Sequence, residues 1–191
     1  MDAGMPDEET LDVRGQLLLN ITDYVKELRG INGVLKLHMN VSERYGTSIG
    51  LDSVLPKEWY PHRLFRIFVE EAAAVVEKDV GRFAEEAGRY AAEHRGVLRA
   101  FIKISGPQNL AKRLQYAWEK YHRVGRVEVV EIGENHGTVR LHDYFYGPYV
   151  CRGFESNIRR YLEYTAENVS VEETRCRSRG DPFCEFRATW E

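Results

Sequence analysis

The chain carries three cysteines, Cys151, Cys176 and Cys184, and the last two flank a Gly180-Asp181-Pro182 turn. A hairpin centred on that turn brings both thiols to one end of a sheet. Cys151 falls in the first turns of the helix expected before the hairpin. That helix runs antiparallel to the strand after it, so its start can fold over the same end. Glu173 stands three residues before Cys176, and a small bulge turns both toward one point. Three soft thiolates and a carboxylate can complete a tetrahedral zinc site with no open position, which makes such a site structural. Spacing alone leaves other readings open. Free cysteine is among the most buried residue types, so three core cysteines fit as well. A cross-strand Cys176–Cys184 disulfide also fits, and the spacing of these two is not that of a standard zinc knuckle. Glu172 competes with Glu173 for the carboxylate.

The run Tyr144-Phe145-Tyr146-Gly147-Pro148-Tyr149 precedes Cys151. Its tyrosines Tyr144, Tyr146 and Tyr149, with Trp118 and Tyr121 from a helix upstream, are the candidate lining of an apolar ligand pocket. A packed core corner explains the same aromatics equally well. Arg152, Arg159 and Arg160 read as a solvated helix face. There is no Gly-rich phosphate loop, no Gly-x-Ser-x-Gly and no His-Glu-x-x-His. Closed zinc coordination leaves no position for a substrate. The chain is therefore not expected to be an enzyme.

Positioning these residues requires an α+β plan. Residues 10–30 read as an amphipathic helix ending at Gly30, with Val13, Leu17, Ile21, Tyr24, Val25 and Leu28 in its stripe. A short helix follows to about Tyr45, then a loop from Gly46 to Pro56. Trp59-Tyr60-Pro61 opens a third helix, and Asp79 caps a fourth that Gly96 breaks. Val97 to Ile104 is helix or strand, and Ser105-Gly106-Pro107 begins a helix carrying Leu110, Leu114, Ala117 and Trp118. A hairpin over Arg126–Ile132 and Thr138–Phe145, a helix from about Pro148 to Glu167 and a second hairpin close the chain. The expected fold is a helix-rich N-terminal part on an antiparallel four- to five-stranded sheet with a C-terminal zinc-bearing hairpin. Residues 1–9 read as a disordered N-terminus and 10–191 as a single ligand-binding domain.

The 191 residues have a formal charge of −3 and a hydrophobic share of 43%. That balance points to neither nucleic acid nor an anionic membrane. The acidic start lacks the basic and apolar segments of a secretory signal, and no stretch approaches the ~18 apolar residues of a membrane span. A cytoplasmic protein is expected.

The run Val171-Glu172-Glu173-Thr174-Arg175-Cys176 through Gly180-Asp181-Pro182-Phe183-Cys184-Glu185-Phe186 resembles the C-terminal signature of the 4-vinyl reductase domain. That signature is Glu-x-x-Cys, a Gly-Asp turn, then Cys-x-Phe. The domain is also the sensor module of phenol-responsive activators. Its superfamily takes in heme nitric-oxide-binding domains and TRAPP trafficking subunits. Trp59-Tyr60-Pro61 and the Ser105-to-Tyr121 helix look like a heme-NO-binding-like group. The resemblance implies a structural zinc on Cys151, Glu173, Cys176 and Cys184, and so picks Glu173 over Glu172. It also implies a pocket between helices and sheet and a homodimer, for which the two helices between Pro61 and His94 are the expected surface. The Tyr-x-Ser-x-Arg motif that anchors heme propionates in the nitric-oxide sensors is absent from the chain. His122, His136 and His142 read as surface or core residues rather than axial ligands, so heme is not expected.

The leading functional expectation is a zinc-stabilised sensory domain. It binds an apolar, aromatic or lipid-like molecule and signals to a separate output protein. The alternatives are a heme-based gas sensor and a TRAPP-like dimeric interaction module.

Overall fold

The computed structural model describes residues 12–94, 107, 109, 111, 114–144 and 147–191. Its elements are β1 (Asp12–Arg14), α1 (Gly15–Tyr45), β2 (Trp59–Pro61), α2 (His62–Val75), α3 (Val80–His94), α4 (residues 114–119 of its described part), β3 (Arg126–Ile132), β4 (His136–His142), α5 (Pro148–Leu162), β5 (Ser170–Arg175) and β6 (Cys184–Thr189). The class is α+β, as expected. Strands β3 to β6 form one antiparallel sheet in the order β3-β4-β6-β5.

Local chemistry accounts for most boundaries. Gly30 takes φ 62° and ψ −163° inside α1, which splits it at the glycine expected to end the first helix. Gly46 closes α1 in the left-handed region, its N–H on the Ser42 carbonyl. The Asp79 carboxylate accepts the Arg82 N–H at 3.1 Å, which caps α3 as its position suggested. Gly147, at φ 100°, turns the chain into α5, and Pro148 occupies its first turn where a missing N–H costs nothing.

Two expectations change. Val13 is not helical. It sits in β1, which pairs antiparallel with β2 so that Val13 faces Tyr60. The second hairpin has shorter strands than expected, β5 starting at Ser170 and β6 at Cys184, with Arg177–Arg179 forming a 3-10 turn between them. The helices between Pro61 and His94, the expected dimer surface, turn their apolar faces inward. Leu64, Phe68 and Ala72 of α2, and Phe83 and Ala84 of α3, are buried inside the chain. Residues 1–9, the break at Gly96, the Val97–Ile104 segment and Tyr146 lie outside the described residues.

Among the described residues two large apolar clusters result, with a small third one of Ala92 and Tyr161. Of the two large ones, one joins α1, α2 and α3; the other joins the sheet to α4 and α5. Helices α3 and α5 cross between them, and Gly88 makes the approach close. A Cβ on Gly88 would stand 2.2 Å from the Gly153 carbonyl oxygen. Salt bridges from Arg160 to Glu93 and from Arg89 to Glu163 reinforce this crossing. Arg159 likewise pairs with Glu155 and donates to the Val171 carbonyl. These arginines tie elements together rather than decorate a solvated face.

Candidate functional site

Two features lie at the junction of the helical and sheet halves. The first is the cysteine cluster. Cys151 comes from the first turn of α5, Cys176 from the end of β5 and Cys184 from the start of β6. Their sulfurs are 3.5 Å (Cys151–Cys184), 3.8 Å (Cys151–Cys176) and 3.9 Å (Cys176–Cys184) apart. All three cysteines are free. Zn–S bonds of ~2.3 Å in a tetrahedron imply sulfurs about 3.8 Å apart, so the spacing matches a shared ion. The β5–β6 register shifts between Glu173 and Arg175, which is the bulge that Glu173 needs to face the thiols. Carboxylate oxygen and sulfurs all lie within 4.8 Å of one another. Glu173 Oε1 is buried and makes no hydrogen bond, whereas Glu172 is exposed. An orphaned buried carboxylate oxygen costs free energy unless a cation or proton meets it.

The surroundings treat the three sulfurs unequally: burial pushes Cys176 up, while Cys184 is pulled down. The Arg177 N–H donates to Cys184 Sγ at 3.5 Å, and Ser178 Oγ lies 3.0 Å from Cys176 Sγ. Asp181 accepts the Cys176 N–H and holds the turn. The Cys151 thiol donating to Cys184 pulls the latter down to about 7, against burial. The same contact, with burial, pushes Cys151 up. Cys184 is thus the most acidic of the three thiols.

The second feature is a cavity of about 220 Å³ between the two halves, with mostly apolar walls from α1, α2, α3, α4, the sheet and α5. It exceeds the ~150 Å³ of an engineered cavity that holds benzene. The structure puts Trp118, Tyr121, Tyr144 and Tyr149 in its wall. Two histidines add polarity: His62, which the sequence did not single out, and His122, which it read as a surface or core residue rather than an axial ligand. His122 lines the cavity, stacked on Trp118 with ring centroids 3.8 Å apart and edge-on to Tyr144 at 5.1 Å. β1 holds it there: Val13 forms a bridge to His122, and the Arg14 N–H donates to the Tyr121 carbonyl at 2.9 Å. His62 lies behind the wall with no solvent exposure, its Nε2 2.8 Å from the Tyr144 hydroxyl. Burial holds His62 well below the usual histidine range, with His122 and Arg66 adding to the effect, so it is neutral. No spacing rule marks either histidine, because the cavity is assembled from distant parts of the chain.

No family model matches the chain, and no curated protein matches it. The 4-vinyl reductase resemblance thus gains no support from these comparisons. Solved structures do match. An H-NOX protein from S. oneidensis in the Fe(II)NO ligation state aligns at TM-score 0.71 and 12% identity, covering 93% of this chain and 99% of that one. A structure titled for modulating heme redox potential through porphyrin distortion aligns at 0.67 and 13%, covering 93% and 98%. An oxygen-binding H-NOX domain related to soluble guanylate cyclases, in its oxygen complex, aligns at 0.65 and 13%, covering 93% and 95%. At such identities the shared property is the fold.

These neighbours correct two expectations. A zinc-stabilised domain for an apolar, aromatic or lipid-like ligand was the leading reading; the matching folds are instead those of proteins titled for nitric oxide, oxygen and heme. The expectation that heme has no place here is overturned by the same finding. The described wall fits such a group in two respects. It offers large apolar and aromatic faces, and it presents the His122 imidazole, a common axial donor for heme iron. Among the described lining residues there is no Lys or Arg to meet propionates, and the Tyr144 and Tyr149 hydroxyls and the Asn157 amide already bond His62, Glu70 and the Gly88 carbonyl.

Proposed function

We propose that residues 10–191 form one domain that serves as a heme-based gas sensor, with nitric oxide as the leading ligand and a separate protein as its output. The observation that carries this reading is an apolar cavity with His122 in its wall, in a chain that has the H-NOX fold over 93% of its length. When bound, the heme would supply an iron centre for a diatomic gas. The chain's residues do the rest. His122 would hold the heme iron, with its ring plane set by stacking on Trp118. Phe65, Val69, Leu141 and Phe154 exclude water. His62 orients the Tyr144 hydroxyl from behind the wall.

The cysteine cluster is read as a closed zinc site on Cys151, Glu173, Cys176 and Cys184, and its role is to hold α5 to the β5–β6 hairpin. The sulfur spacing and the orphaned Glu173 oxygen support this. With every ligand position filled by protein, such an ion has no catalytic part.

Reconstitution with hemin tests the sensor reading. A Soret band that shifts on adding nitric oxide to the reduced protein, and that is lost or displaced in His122→Ala, is the expected result. Protein that takes up no hemin at micromolar concentration rules the reading out.

A further inference from the structure

Cys151 belongs to both features. It lines the cavity, and its sulfur is 3.5 Å from Cys184 within the thiol cluster. Cys176, Cys184 and Glu173 do not line the cavity. Around Cys151, the first turns of α5 contribute Tyr149, Val150, Gly153 and Phe154 to the same wall. This stretch starts at Gly147, whose φ of 100° marks a turn rather than a continuous helix. It meets the β5–β6 hairpin at the three sulfurs and where Phe154 packs edge-on to Phe186 at 5.1 Å. We infer that the two sites are thermodynamically coupled through Cys151, so that metal in the cluster tightens binding in the cavity and an occupant of the cavity tightens the metal.

The physical reason is ordering. A tetrahedral ion fixes sulfur positions to within a few tenths of an ångström, and thereby fixes the α5 turn that forms one wall. Without the ion, the turn and the hairpin tip meet at weak thiol contacts, and Glu173 has Arg179 3.5 Å from its Oε2 while its Oε1 has no partner. Any cavity occupant must then order that wall itself, and its affinity falls by the cost of doing so. Linkage requires the reverse effect to be equal: the occupant raises metal affinity by the same factor. Glu173 and Cys184 act as positioning residues for a cavity that they do not touch.

The coupling rests on the heme and zinc reading above, and its test separates the two. Hemin affinity is measured by Soret titration of the zinc-loaded protein and of Cys184→Ser, which loses a metal ligand but no cavity wall. The expected result is about 5-fold or more weaker binding in the variant. Competition with a chelating dye then compares zinc affinity of the parent with and without hemin, and needs no variant to fold. The expected result is tighter zinc by the same factor when hemin is bound. Unchanged hemin affinity in Cys184→Ser, or unchanged zinc affinity on adding hemin, overturns the coupling while a Soret band and one zinc per chain leave the functional reading standing. A parent that binds no hemin overturns the coupling and the sensor reading together, and one that binds hemin but no zinc overturns the coupling and the zinc site while the sensor reading stands.

Discussion

His62 Nε2 and the Tyr144 hydroxyl meet at 2.8 Å across 82 residues of chain, and this bond joins the helical half to the sheet half behind the cavity wall. His62 starts α2 and Tyr144 follows β4, so each brings a different cluster to the junction. A polar bond in such a place is worth more than its counterpart at the surface, because breaking it strands a buried group.

Tyr144→Phe removes that hydroxyl and keeps the ring that packs on Trp118. The expected loss is about 1–3 kcal/mol, the cost of a buried imidazole nitrogen losing a partner. Urea unfolding of parent and variant measures it; equal midpoints with equal slopes contradict it.

Acid destabilises through the same histidine. His62 has a folded pKa well below its unfolded value of about 6.5, so above that value both states are neutral and it contributes no pH dependence. As pH falls below 6.5, the unfolded chain takes up the proton first, and stability drops by up to ~1.4 kcal/mol per pH unit until the folded pKa is reached. The carboxylates held low, among them Glu86, Glu163 and Glu185, lose their contributions only at more acid pH, below their ordinary range. Between pH 6.5 and 5 the unfolding free energy of the parent should therefore fall, and that of His62→Phe should be flatter. Parallel slopes would remove His62 from the account.

Glu173→Gln and Glu172→Gln distinguish two neighbouring carboxylates. The first should lower the zinc content of purified protein and its melting temperature; the second, on an exposed side chain, should change stability by no more than ~0.5 kcal/mol. Cys184→Ser should lose the metal and several kcal/mol of stability, since binding and folding are linked. Metal analysis beside thermal melts reads all three, and full zinc retention in Glu173→Gln would falsify the ligand set.

Gly88→Ala pits helix propensity against packing. Alanine favours a helix by about 1 kcal/mol, but here its Cβ would stand 2.2 Å from the Gly153 carbonyl oxygen. A backbone atom on the facing helix cannot swing aside, so α3 and α5 must separate, and a net loss of about 1–3 kcal/mol is expected. Gly50→Ala meets nothing closer than 3.9 Å and serves as the neutral control. Matching melting temperatures for the two variants would show that the crossing is looser than described.

The described α-helices and sheet strands were largely legible in the sequence because their signals are local. Gly30, Gly46, Asp79 and Pro148 act within a turn of where they stand. The apolar period of α2 and the Gly-Asp-Pro turn between Cys176 and Cys184 are equally local. The Glu173 bulge and the gathering of Cys151 with the hairpin could be anticipated because one helix and one turn carry all four residues. β1 was misread as helix, since three residues give no period and its partner β2 lies 45 residues on.

Only the tertiary structure decided the rest. His62 and His122 have no neighbours in sequence that mark them. Burial makes one neutral, and a bridge to Val13 turns the other toward the cavity. The choice between an aromatic core corner and a pocket also lay beyond the sequence, because Trp118, Tyr144 and Tyr149 would bury in either. Whether space remains among them depends on how closely α3 and α5 approach, and that distance is set by two glycines 65 residues apart meeting at one crossing. Sequence specifies which side chains seek burial; only the packing of distant elements determines where they leave room.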